Sequence, residues 1–250
     1  MRVEAFEIME DLDYAYWWYV ARQRIITGVV SRYVPRGARI LDFGCGAGAT
    51  TAALIASGYQ AVGADRSERA LETCRARGIP VVPLDHDWVM DGGVDCVLCC
   101  DVLEHVEDDR ALLEDLGRML RTKGVVIITV PAYEFLWSGE DYASEHLRRY
   151  TSSRLRAIAR SAGLDVIWSS YFNTLLFPIV AAAILWTRLF RPRAMYRSNV
   201  RPLWKPLDKA LTAVFSLEGT VLGRVPLPFG TSVIAVATRA AADRGKGGRP

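Results

Sequence analysis

The sequence predicts an α/β fold: a Rossmann-like, seven-stranded, mostly parallel sheet with helices on both faces, plus a helical insertion between strands six and seven. Three observations predict it. Apolar runs alternate with helix-patterned stretches from residue 38 to residue 172. The first run ends in a Gly-rich turn, "LDFGCGAGAT". A long segment, residues 172–230, separates the sixth run from the seventh.

Taken in order, "ARILDFGC" is the first strand and "ATTAALIAS" a helix behind the Gly turn. "YQAVGAD" is the second strand, followed by a helix over "SERALETCRARG" that Gly78 stops. "IPVVPLD" and "VDCVLCCD" are strands three and four. "EDDRALLEDLGRMLRTKG" is an amphipathic helix with acids in its first turn, bases in its last and Gly124 beyond. "VVIITVP" is strand five. "TSSRLRAIARSAG" is a helix capped by Thr151 or Ser152. "LDVIWSSYF" and "TSVIAVATRA" are strands six and seven. The chain divides into an aromatic helical cap (1–35), a core (36–171), the insertion (172–230), a last core strand (231–240) and a disordered tail (241–250).

With 250 residues, 51% of them apolar, the chain can bury a sizeable core. A net charge of +3 does not point to nucleic acid. The acidic start, with Glu4, Glu7, Glu10, Asp11 and Asp13, lacks the pattern of a signal peptide, so a cytoplasmic location is expected. Five cysteines, three of them in "VDCVLCC", read as buried thiols, because no second Cys pair or His cluster completes a four-ligand metal site.

Gly44, Gly46 and Gly48 let a ligand approach backbone closely. Alone, Gly44-x-Gly46-x-x-Ala49 also fits a dinucleotide fingerprint. Asp42 before the turn, Asp65 after strand two, Asp85 after strand three and "CCDVLEHVEDD" after strand four break the tie. Together with "LRTKGVVIITVP" they resemble class I S-adenosylmethionine-dependent methyltransferases, of the type 11 and type 12-like kind, over roughly residues 12–170. The resemblance implies S-adenosylmethionine as cofactor and S-adenosylhomocysteine as product. It implies backbone of Gly44, Cys45 and Gly46 facing the methionine part, with Asp42 orienting the turn or the amino group. It implies Asp65 on the ribose, Arg66 beside the adenine, Asp85 and His86 at the adenine edge, and Asp101 and Val102 flanking the cofactor. Related enzymes have an aromatic helix before strand one. Trp18 and Arg22 of "YAYWWYVARQR" would close over the cofactor, Arg22 reaching its carboxylate.

Methyl transfer needs an aligned nucleophile and, for a hydroxyl, a group that removes its proton. His105, in "DVLEHV", stands at the ligand-binding end of the sheet. The same "LEH" occurs in methyltransferases acting on phenolic hydroxyls of quinone precursors, where acid and His bind a divalent metal or act at the substrate. A general base, a structural His and a metal ligand therefore stay open for His105, with a divalent metal not favoured. His146 lies in "PAYEFLWSGEDYASEHLRRYT", expected to carry acceptor contacts through Tyr133, Trp137, Arg149 and Tyr150. Paired arginines suit a phosphate or carboxylate; Arg149 and Tyr150 equally suit anchoring of the next helix.

In the insertion, Leu175 to Trp186 is free of charge, too short for a membrane span and opened by Pro178. From Arg188 to Lys209 stand seven basic residues against Asp208, with Trp186, Tyr196 and Trp204 interspersed. Such a segment suits an anionic membrane surface; a lid or a dimer face is the alternative. The expectation is a methyltransferase, peripheral on the inner membrane face, that O-methylates an amphiphilic acceptor: a lipid, a quinone precursor or a polyprenyl-linked sugar. A soluble small-metabolite enzyme with the insertion as lid, a non-catalytic cofactor-binding scaffold and a nicotinamide dehydrogenase are the alternatives. No nucleic-acid partner is expected.

Overall fold

The computed structural model describes residues 10, 12–84, 93–196, 198, 200 and 202–240. Seven strands form one sheet in the order β3-β2-β1-β4-β5-β7-β6. They are β1 (Arg39–Phe43), β2 (Gln60–Asp65), β3 (Val81–Pro83), β4 (Val94–Cys100), β5 (Leu120–Pro131), β6 (Leu164–Phe172) and β7 (Ser232–Arg239). Strands β1 to β5 pair in parallel, and β7 runs antiparallel between β5 and β6. The order reverses at β1, between β2 and β4. Ligands bind at such a switch, beyond the strands' carboxyl ends.

Helices cover both faces: α1 (Trp17–Tyr33), α2 (Ala49–Ala56), α3 (Glu68–Ala76), α4 (Asp109–Met119), α5 (Gly139–Ser144), α6 (Ser152–Ser161), α7 (Phe177–Phe190) and α8 (Lys205–Leu217). On one face Ile25, Ile26, Val29 and Val30 of α1 pack with Phe215 of α8 against Ile40, Leu98 and Ile127. On the other, Leu113 and Leu116 of α4 and Leu155 and Ala159 of α6 pack against Val97, Val126 and Ile128. Because β4 and β5 are covered on both faces, they read as continuous apolar runs. Cys96, Cys99 and Cys100 are buried thiols in β4.

Helix α4 is shorter than its sequence pattern. It ends at Met119, and β5 begins at Leu120, which pairs with Val94 and is fully buried. The register then jumps from Val94–Leu120 to Cys96–Val125. Lys123 adopts a φ of 69°, and Arg121 pairs with Asp95. Burial of Leu120 in the sheet outweighs the helical preference of "RTK".

The segment after β6 is tied to the sheet at both ends. The Asn173 side-chain nitrogen donates to Thr231 Oγ1 at 2.8 Å, and the backbone N–H of Leu175 donates to buried Glu218 at 2.8 Å. Phe172 stacks on Phe215, ring centroids 6.1 Å apart. The backbone N–H of Trp17 donates to Asp208 at 2.9 Å, fastening α1 to α8. Helix α8 thus belongs to the core. Helix α7 buries none of its residues: Leu189 is 74% exposed, and Trp204, just ahead of α8, is 75% exposed. Among the described residues, no helix is long and apolar enough to cross a membrane.

Candidate active site

A cavity of about 1370 Å³ opens at the carboxyl ends of the strands. That exceeds the roughly 300–1,000 Å³ of an ordinary small-molecule pocket. Its floor is the turn from β1 to α2. Gly44, Gly46 and Gly48 take φ values of 76°, 54° and 85°, where a side chain is strained. A Cβ on Gly44 would also collide with Val102, so the backbone approach there depends on glycine.

Two acids brace this turn. Asp65 accepts from the Gly46 N–H at 3.0 Å and from the Ser67 N–H at 2.8 Å, one bond per oxygen. Each carboxylate oxygen keeps acceptor capacity toward the cavity, which Asp65 lines beside Arg66. Asp42 is 2% exposed and accepts from Thr51 Oγ1 at 2.6 Å. Burial pushes its carboxyl up to about 6, opposed by the Thr51 bond. A third acid, Asp13, accepts from the first N–H of α2, Ala49, at 3.3 Å. Sequence reading missed it, although an acid at a helix start is a known signal; nothing in the spacing linked residue 13 to residue 49.

Trp18, Tyr19 and Arg22 of α1 line the same cavity as the turn. Arg22 Nη2 pairs with Asp101 Oδ2 at 2.6 Å, and its guanidinium lies 5.3 Å from the Trp18 ring centre. Its Nε is buried without a hydrogen-bond partner. Asp101 holds a φ of 56° beyond β4, where Thr129 Oγ1 donates to its other oxygen at 3.1 Å. These features fit S-adenosylmethionine: a glycine cradle, a braced acid at the ribose position and an unpaired guanidinium donor for a carboxylate. Asp85 and His86 lie outside the described residues.

Farther in stand Glu104, His105 and His146. Glu104 is fully buried, and neither carboxyl oxygen has a partner. Burial raises its pKa well above the ordinary carboxylate range, with Asp101 adding to the effect. The His105 and His146 rings meet edge to face at 4.7 Å. Burial, with His146 nearby, lowers His105 to about 4, so the ring is neutral at neutral pH. His146 Nδ1 lies 2.9 Å from Asp141 Oδ1, and its Nε2 lies 3.9 Å from Glu104 Oε1. Donor atoms of Glu104, His105 and His146 all fall within 4.8 Å of one another, close enough to share a cation.

Arg149 is committed to this scaffold. Its Nε and Nη2 make a two-pronged bond to Asp141 at 2.7 and 2.8 Å, and its Nη1 donates to Ala132 O at 2.9 Å. Ser138 N–H donates to the same acid at 2.6 Å in a capping box that starts α5. His146 and Arg149 hold the Asp141 carboxyl well below its ordinary range despite burial. Arg149 lines the cavity while three of its guanidinium nitrogens bond Asp141 and Ala132. Tyr150 is 1% exposed, donates to Asp109 at 2.9 Å and does not line the cavity. Tyr133 stacks on Tyr171 at 5.2 Å, and Trp137 packs edge-on against Tyr142 at 6.0 Å; both also lie off the cavity wall. The wall is made instead by Leu136, Asn173 and apolar residues of α7 and α8. The sequence marks the α7 segment as apolar without saying which face turns inward, and does not set α8 apart from the basic run before it.

Residues 18–168 match the family model described as a methyltransferase domain. The chain belongs to the S-adenosylmethionine-dependent methyltransferase family. Ubiquinone biosynthesis O-methyltransferases of Pseudomonas aeruginosa and Bordetella avium are 30% and 28% identical to it over 152 residues. Those segments are 52% of this chain and 66% and 63% of the relatives, so less than two thirds of their length is spanned. Among solved structures, a Haloferax volcanii methyltransferase in complex with the Trm112 activator superposes with a TM-score of 0.61 at 18% identity, covering 96% of this chain and 95% of that one. The [4+2]-cyclase SpnF superposes with a TM-score of 0.58 at 19% identity, over 90% and 83%. At such identities the likeness concerns the fold alone; a cyclase among the neighbours underlines that.

Proposed function

We propose that this methyltransferase O-methylates an amphiphilic acceptor at a membrane surface. The observation that carries the reading is that the Glu104–His105–His146 cluster shares one cavity with the cofactor turn. Bound S-adenosylmethionine supplies the electrophilic methyl group and departs as a thioether. The protein's part is to hold the acceptor hydroxyl in line and take its proton. His105 and His146 offer imidazole nitrogens there, and Asp141 with Arg149 fixes the His146 ring. Arg22 and Asp65 hold the cofactor's ends. The similarity to ubiquinone O-methyltransferases supports a hydroxyl acceptor.

The membrane side of the reading rests on the insertion. Trp186, Leu189, Phe190 and Trp204 are exposed, close in sequence to Arg188, Arg191 and Lys205. Basic residues beside exposed aromatics favour an anionic lipid interface.

The test uses purified protein, methyl-labelled S-adenosylmethionine and a bacterial extract split into aqueous and organic-soluble fractions. Label is expected in the organic fraction and absent with heat-killed protein. Label confined to the aqueous fraction would turn the insertion into a lid for a small metabolite. A second reading, a divalent cation at the cluster, is favoured by the two unpartnered Glu104 oxygens. It predicts that chelation followed by dialysis removes turnover and that metal restores it.

A further inference from the structure

Helix α7 is apolar on two sides. Leu176, just before it, and Val180, Ala183 and Ile184 line the cavity; Trp186, Leu189 and Phe190 do not, and are exposed. A helix of a soluble enzyme ordinarily has one apolar stripe. Leu203 and Leu211, the latter on α8, line the same cavity. No charged side chain of α7 or α8 lines this arm. The one hydroxyl on it, Thr187, donates to Ala183 O at 2.8 Å and is taken. From Leu176 to Thr187 the wall runs roughly 16 Å at the rise of an α-helix. At its inner end Asn173 is 1% exposed, and its Oδ1 has no partner. These residues lie beyond the family match, which ends at residue 168.

We propose that this arm holds an extended apolar chain of the acceptor, aliphatic or isoprenoid, with the acceptor's polar head beginning at Asn173. The inference rests on the acceptor reading above and names the part of the acceptor that reading leaves open. Along the α7 and α8 walls a sugar, phosphate or peptide would find only the Thr187 hydroxyl, already bonded to Ala183, and polar groups laid there would be buried unpaired. A hydrocarbon chain loses nothing there and gains by leaving water. The exposed outer stripe puts the same helix against the medium from which such a chain comes.

The experiment titrates the full chain, loaded with S-adenosylhomocysteine, with octanol, decanol and dodecanol in a calorimeter. Affinity should tighten about fourfold for each buried methylene. Ala183→Trp and Ile184→Trp, which fill the arm, should flatten the series while S-adenosylhomocysteine affinity stays at the wild-type value. Leu189→Ser, on the outer stripe, should leave the series intact. The proposal is overturned by a flat series in wild-type protein, by an unchanged series in both filled variants, or by loss of the series in Leu189→Ser. Should a filled variant fail to bind S-adenosylhomocysteine, amide exchange of the wild-type protein decides: dodecanol must slow exchange in α7, and absence of that protection overturns the proposal. Alkanol binding is read without turnover, and the labelled extract without alkanol, so the two readings fail separately.

Discussion

Arg22 Nη2 lies 2.6 Å from Asp101 Oδ2, and this ion pair leaves the neighbouring Nε buried and unpaired inside the cofactor cavity. A buried donor with no acceptor is costly, so an anion arriving there removes a penalty as well as adding a bond. Arg22→Met is expected to weaken S-adenosylmethionine binding about ten- to hundred-fold, the worth of one or two charge-assisted hydrogen bonds. Isothermal calorimetry measures it. Unchanged affinity would take Arg22 out of the site.

His105→Ala should cut turnover by about 10²–10⁴ if the ring accepts the acceptor's proton. Cofactor affinity should stay nearly intact, because the turn from Gly44 to Gly48 is built without His105. Steady-state rates on the labelled extract fraction, together with calorimetry, separate the two quantities. Normal turnover would make His105 a loop-fixing residue.

Asp42 gives a pH signature. Its folded pKa of about 6 lies above the ordinary 3.8, so the native state holds the proton more tightly than the unfolded chain. The stability this adds is full below pH 3.8 and is lost as pH rises to about 6. Asp42→Asn keeps an oxygen for the Thr51 hydroxyl and has no such loss. Relative to wild type, the variant should therefore gain stability across that window, reaching on the order of 3 kcal/mol above pH 6. Thermal melts of both proteins without cofactor, at roughly pH 3.5 and 7.5, on either side of that window, test it. A constant difference between the two proteins would contradict it.

Arg149→Leu leaves Asp141 as a buried carboxylate stripped of its two-pronged partner. Breaking one side of such a pair costs about 3–5 kcal/mol. Urea unfolding should show that loss, and turnover should fall with it because His146 loses its orienting acid. A variant of full stability that only bound acceptor weakly would restore Arg149 to a substrate contact.

For the membrane face, flotation with vesicles of phosphatidylglycerol and phosphatidylcholine is the measure. Protein should float with anionic vesicles and less so as salt rises, since surface charge attraction is screened. Trp186→Ser combined with Leu189→Ser should abolish flotation without altering S-adenosylmethionine affinity. Equal flotation of that double variant would place the contact elsewhere.

The sheet was legible because its strands are buried on both faces and the turn at Gly44 punctuates the first of them. The boundary at Leu120 was not: "LRTK" has helical propensity, and only the pairing with Val94 reveals the strand. The residues expected at the cofactor follow chain order along strand ends, and those among the described residues line one cavity. The acceptor side was harder. Arg149 and Tyr150 carry the chemistry of anion and aromatic recognition, yet both bond acids of the protein, Asp141 and Asp109, and only Arg149 lines the cavity. Side-chain type cannot tell a cradle for a ligand from a brace for a loop. Asn173 escaped notice because nothing in "YFNT" announces that its side-chain oxygen is left alone in a cavity.

Strands β6 and β7 are neighbours, and Phe172 stands opposite Ser232 in their register. The chain therefore leaves the sheet and returns to it at one place. Closing a loop whose ends already touch costs only about 0.6 kcal/mol more for each doubling of its length. The sheet is thus almost indifferent to how long that excursion is or what its outward helix looks like. If the proposed acceptor arm holds, an excursion of different size or polarity grafted between residues 173 and 231 would retune acceptor choice while leaving the Gly44–Gly48 turn in place, provided something as bulky as Phe215 still backs α1.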